Sequence, residues 1–83
     1  MSGIDQRLLD AAADAYAAAR REYERATSAA DQTYERLQAS PETIEYQIDW
    51  NVARREEAAA AWRVKEAEER YCKAGGYVRE NNE

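Results

Sequence analysis

The side chains able to do chemistry in this 83-residue chain are few, and histidine is not among them. Its absence removes the commonest general base, the commonest zinc ligand and the Glu-x-x-His signature of di-iron helical bundles. Cys72 is the single cysteine, so neither a thiolate chelate nor an intramolecular disulfide is available. It reads as an inert thiol in the last turn of a helix. Glu66, Glu68 and Glu69 form a dense carboxylate run. Consecutive acids on a helix point in different directions and lack the turn geometry of a calcium loop. A solvated face is the reading they support. No glycine-rich phosphate loop and no Ser/Asp pair with a base is present. The expectation is a protein with no enzymatic activity, no cofactor and no metal.

Arginine is the remaining chemical candidate. Arg20, Arg21 and Arg25 lie in the first half of the chain and Arg54 and Arg55 in the second, with Tyr23 among the first group. Brought together, five guanidinium groups would suit nucleic-acid phosphates. However, Glu22, Glu24, Glu56 and Glu57 are interleaved and the net charge is −5. Phosphate binding draws on net positive potential. Ordinary surface salt bridging is therefore expected, with nucleic-acid binding kept as an alternative.

Eighty-three residues make one small domain, 1–83. A chain of this size buries a modest share of its surface and is marginally stable without help. Met1–Arg7 hold no apolar run of signal-peptide length, and Ala15–Ala19 and Ala58–Trp62 are too short to span a bilayer. A cytoplasmic protein that does not enter the membrane is expected. Ten of the 12 basic residues are arginine and alanine is the commonest residue. Both have GC-rich codons, a compositional pointer to a high-GC bacterium or its phage.

The elements that position these groups follow from the breakers. Glycine and proline occur only at 3, 41, 75 and 76. Interior glycine and proline are costly in helices, so two long uninterrupted runs predict two long helices. Ser40-Pro41-Glu42 combines a favoured N-cap, a favoured first helical residue and an acid suited to the helix dipole. Gly75-Gly76 supplies a stop. The resulting plan is all-α: helix one over about 4–38, a turn at 39–41, helix two over about 41–74, and a flexible tail at 75–83. Helical hairpins of roughly this size occur among proteins exported by actinobacterial type VII systems. Those carry Trp-x-Gly at the turn and Tyr-x-x-x-Asp/Glu after helix two. Here the turn is Ser40-Pro41-Glu42 and Tyr77-Val78-Arg79-Glu80-Asn81 lacks the final acid, so neither signature is present.

Periodicity refines the plan. Leu9, Ala12, Tyr16, Ala19, Tyr23, Ala26, Ala30, Thr33 and Leu37 recur at alternating spacings of three and four. Helix two offers Thr43, Tyr46, Trp50, Ala53, Glu57, Ala60, Val64, Ala67, Tyr71 and Ala74 in the same way. Both are heptad seams, which predicts an antiparallel, coiled-coil-like hairpin closed on alanine. A reversal near Ser40 sets Ala12 against Ala67, Ala19 against Ala60, Ala26 against Ala53 and Thr33 against Tyr46. Leu9 then meets Tyr71, Tyr16 meets Val64, Tyr23 meets Glu57, and Ala30 meets Trp50. This register puts Glu22 beside Glu56, an unfavourable pair, and sets the central arginines of both helices at one level.

A second apolar stripe remains on helix two: Ile44, Ile48, Val52, Ala59 and Trp62. At 100° per residue it lies roughly opposite the seam. A two-helix hairpin cannot cover both faces, and the two exchanged would still leave one in water. Helix one adds Ile4, Leu8, Ala11, Ala15 and Ala18 along another edge. Contiguous exposed apolar surface marks an interaction site. The first functional expectation is a protein–protein interaction module that self-associates through this stripe as a homodimer or small homo-oligomer, forming a four-helix bundle. Tyr34 and Tyr46 would stand at its turn end. The alternative is a small phage or bacterial regulator that inhibits one host protein by docking the stripe on it.

Overall fold

The computed structural model describes residues 5–76. Two α-helices, α1 (Gln6–Ala39) and α2 (Ile44–Lys73), pack against each other, and no strand occurs among the described residues. Helix α1 begins at Asp5, whose extended backbone and carboxylate make an N-cap that accepts the Arg7 N–H at 3.0 Å. Its 34 residues run without a breaker to Ser40, whose N–H donates to the Arg36 carbonyl. Ile4 and the tail from Tyr77 to Glu83 lie outside the described residues.

The turn differs from the expectation. The Thr43 N–H donates to the Ser40 carbonyl at 3.1 Å, which closes a β-turn with Pro41 at its second position. Thr43, extended at φ −83° and ψ 112°, is the N-cap of α2. The helix therefore starts three residues later than Pro41. Ser-Pro suits the first two positions of a turn as well as it suits a helix start. Spacing between helix axes decides between them. A single linking residue cannot reverse the chain across the roughly 8–10 Å between packed helices, whereas the four residues Ser40–Thr43 can. Gln47 Nε2 donates to the Pro41 carbonyl at 2.8 Å and ties the turn to the first turn of α2.

The far end of α2 closes with a paired cap. The Gly76 N–H donates to Tyr71 O at 2.9 Å and the Gly75 N–H to Cys72 O at 3.1 Å. Gly75 sits at φ 107°, where a side chain would be strained.

The heptad positions face inward. Ala19, Ala30, Ala53, Ala60 and Ala67 are buried, and every other seam position is half-buried except Tyr23, at 37% exposure. Among the described residues no large side chain is fully buried. Alanine lets the backbones approach closely, and tyrosine and tryptophan cover the edges of the contact. Tyr16 stacks on Tyr71 with ring centroids 6.0 Å apart and planes 10° apart. Nearer the turn, Tyr34 packs on Trp50 at 5.3 Å. These two pairs, one at each end, show that the helices run in opposite directions.

The register is one heptad away from the expected one. Ala19 and Ala67 line one groove between the helices, Ala26 and Ala60 the next, and Ala12 and Ala74 the one at the open end. The expected pairs Ala12–Ala67, Ala19–Ala60 and Ala26–Ala53 are displaced by seven residues. The longer turn moves the reversal point toward α2, and an alanine seam repeating every seven residues accepts the slide without a clash. The slide also repairs the electrostatics. Glu22, expected beside Glu56, instead accepts from Arg63 Nε at 3.3 Å. Glu57 finds Thr27 in place of Tyr23, and the Thr27 hydroxyl donates to its carboxylate at 3.1 Å. The Thr33 hydroxyl, also in the seam, donates to the Ala30 carbonyl at 2.9 Å. Among the described residues Glu22–Arg63 is the one closed ion pair. At 55% and 49% side-chain exposure its contribution is at most a fraction of a kcal/mol.

The shape is a flat rod, 64 × 27 × 13 Å, with a radius of gyration of 17.4 Å. A globular chain of this length would have about 12 Å. Among the described residues there is no third layer over either helix.

Candidate partner-binding face

Because the tyrosine–alanine seam turns inward, the other apolar face of α2 must turn outward. Ile44 is 65% exposed, Ile48 55%, Val52 45% and Trp62 60%. Ala59 is exposed beside them. These residues extend over about 27 Å of helix at 1.5 Å per residue. The choice left open between the two faces is thus resolved: aromatic residues interleaved with alanine go inside, and the isoleucines and Trp62 go outside. The alanine face wins because only small side chains permit close backbone approach along the whole length.

Trp62 is held in place although exposed. Its indole N–H donates to Glu66 Oε2 at 3.0 Å, and Lys65 Nζ stands 5.9 Å from its ring centroid. Both partners come from the same helical face, at i+4 and i+3, so sequence alone positions them. The residue stays 60% exposed despite these contacts.

The tyrosines proposed for the turn end divide. Tyr34 is 43% exposed and packs its ring on Trp50. Tyr46 is half-buried at a seam position and does not belong to the outer face. On α1, Leu8 is 63% exposed and lines the open-end groove with Ala11 and Ala15, opposite Arg70 and Lys73. Ala18 lines the adjacent groove.

The five arginines do not gather. Arg20 lies over the Tyr16 ring at 5.9 Å, and Arg54 lies over the Trp50 ring at 5.0 Å. Arg54 lines a groove with Ala30, Asp31 and Tyr34, about 11 residues or roughly 16 Å along α1 from Arg20. The heptad shift is the cause, since the expected register would have set Arg54 and Arg55 at the level of Arg25. Arg25 shares its groove with Glu22 and Glu56, and Arg21 and Arg55 are exposed. Cys72 is exposed, in a shallow depression with Lys65, Glu68, Glu69 and Lys73. Among the described residues no three potential metal ligands converge, and no helix is long and apolar enough to cross a membrane.

Two contacts between the helices, Thr27–Glu57 and Glu22–Arg63, do not follow from the spacing. Glu57 interrupting an alanine seam was the available signal, but its partner depends on register.

The chain matches no protein family, no curated protein and no solved structure. The reading of its function rests on its own surface.

Proposed function

We propose that this chain is a nonenzymatic interaction module that self-associates through the outer face of α2, two hairpins forming a coiled-coil-like four-helix bundle. The observation that carries the reading is an inversion of the usual distribution. Among the described residues the buried ones are five alanines, while Ile44, Ile48, Val52 and Trp62 remain 45–65% exposed. Full burial of such side chains contributes roughly 1.5–3 kcal/mol each. With about half of each still open, the face holds about 3–6 kcal/mol per protomer. Two protomers together then offer about 6–12 kcal/mol, within the range of about 4–15 kcal/mol that association costs in lost motional freedom. A second copy also supplies the missing layer for a domain too thin to form a core of its own.

The test is the solution mass by light scattering at micromolar concentration, with circular dichroism on the same sample, for wild type and Trp62→Glu. The expected result is a helical dimer or tetramer for wild type and a lighter, still helical species for the variant. Trp62 at 60% exposure carries about 1.5 kcal/mol per copy. Losing both copies from a symmetric contact weakens association by about two orders of magnitude. A wild-type protein that is monomeric and helical at these concentrations overturns self-association and leaves docking on a different protein as the use of the face.

A further inference from the structure

The outer face of α2 is apolar along its length but not uniform in charge. Residues 44–52 carry Glu45 and Asp49 and no base, a net charge of −2. Residues 53–66 carry Arg54, Arg55, Arg63 and Lys65 against Glu56, Glu57 and the Glu66 that Trp62 bonds, a net charge of +1. Glu45, Asp49, Arg55 and Lys65 are all exposed and none is engaged in an ion pair with another of the described residues.

Resting on the self-association reading, we propose that the partner is a second copy of this chain docked with its α2 antiparallel to the first, about a two-fold axis at the level of Ala53 and Arg54. A closed dimer of this kind uses the same patch on both subunits, so the patch must complement itself. Antiparallel docking brings the acidic half of each stripe against the basic half of the other. Parallel docking would set acid on acid and base on base. With the axis at this level, Ile44 and Ile48 of one protomer stand opposite Trp62 and Ala59 of its partner, so apolar residues meet apolar residues at both ends. Glu45 stands opposite the partner's Arg63. Arg63 already donates through Nε to Glu22 at 3.3 Å, and its guanidinium has four further N–H groups for a second carboxylate. Asp49 comes within about one helical turn of the partner's Arg55. The charge order therefore selects the antiparallel orientation, the role that flanking charges play in paired helices.

Two charge-reversed variants test this. The first is Glu45→Lys with Asp49→Lys, which makes both halves of the stripe basic. The second is Arg55→Glu with Lys65→Glu, which makes the stripe predominantly acidic. Each is expected to lose at least tenfold in self-association at low salt while keeping the helical circular dichroism of wild type. Mixed in equal amounts, the two are expected to recover the dimer mass, because each basic half then faces an acidic one. Orientation is read separately from Ile48→Cys and Ala59→Cys proteins in a Cys72→Ser background, mixed and oxidised. Cross-links between the two different variants support antiparallel docking, and cross-links of Ile48→Cys with itself overturn it. A wild-type dimer whose charge variants associate unchanged, or fail to recover on mixing, overturns this pairing while leaving self-association standing. A monomeric wild type overturns the self-association reading itself.

Discussion

Two engineered cysteine pairs distinguish the register seen here from its one-heptad neighbour. In a Cys72→Ser background, Ala26→Cys with Ala60→Cys spans residues that line the same interhelical groove. Ala19→Cys with Ala60→Cys spans residues in different grooves, since Ala19 shares its groove with Ala67. Seven residues of helix correspond to about 10 Å along the axis. A disulfide tolerates Cα separations of only about 4.4–6.8 Å, so the second pair is out of reach by axial displacement alone. The Ala26/Ala60 protein is expected to oxidise to completion without denaturant. Its closed loop contains about 35 residues, for which the chain-entropy relation gives about 4 kcal/mol of stabilisation. For a domain this small each kcal/mol shifts the melting midpoint by about 4–8 °C. The oxidised form should therefore melt some tens of degrees above its reduced form at the same protein concentration. Non-reducing electrophoresis with paired thermal melts reads both quantities. Ready closure of the Ala19/Ala60 pair with failure of the Ala26/Ala60 pair would refute the register and the argument from turn length behind it.

Other perturbations probe individual features. Ala60, at 2% exposure, sits where the helices approach closely; Ala60→Leu is expected to overpack the seam and destabilise by about 1–3 kcal/mol in urea titration. No change would mean that the helices are loosely apposed. Thr27→Val keeps the shape but removes the donor at 3.1 Å from the half-buried Glu57 carboxylate. A loss of about 1 kcal/mol is expected, and Glu57→Gln in the same background should recover part of it. Gly75→Ala places a side chain at φ 107° and is expected to cost about 1–2 kcal/mol. Amide exchange should localise the loss to the last turn of α2, and uniform loss along the chain would contradict the assigned cap.

Residue spacing alone was enough to group the residues of each helix that share a face. Helix side chains project at fixed angles, so spacings of three and four place Tyr16, Ala19 and Ala26 on one side of α1, and Tyr46, Ala53, Ala60 and Ala67 on one side of α2, whatever those helices meet. It also placed the second stripe opposite the seam, because Ile48 and Trp62 are half a helical circumference away from it. The stop at Gly75-Gly76 was legible because a positive φ is a local property of one residue type. The register and the choice of covered face on α2 follow from how the two helices meet in space. An alanine heptad seam is nearly degenerate under a seven-residue slide, since alanine meets alanine before and after it. The degeneracy is lifted by parts that do not repeat: a four-residue turn, Tyr16 on Tyr71, Tyr34 on Trp50, Thr27 on Glu57 and Glu22 on Arg63. Each of these depends on how two distant segments meet. With the register fixed, the arginines separated, and the outer face of Ile44, Ile48, Val52 and Trp62 was left in the open.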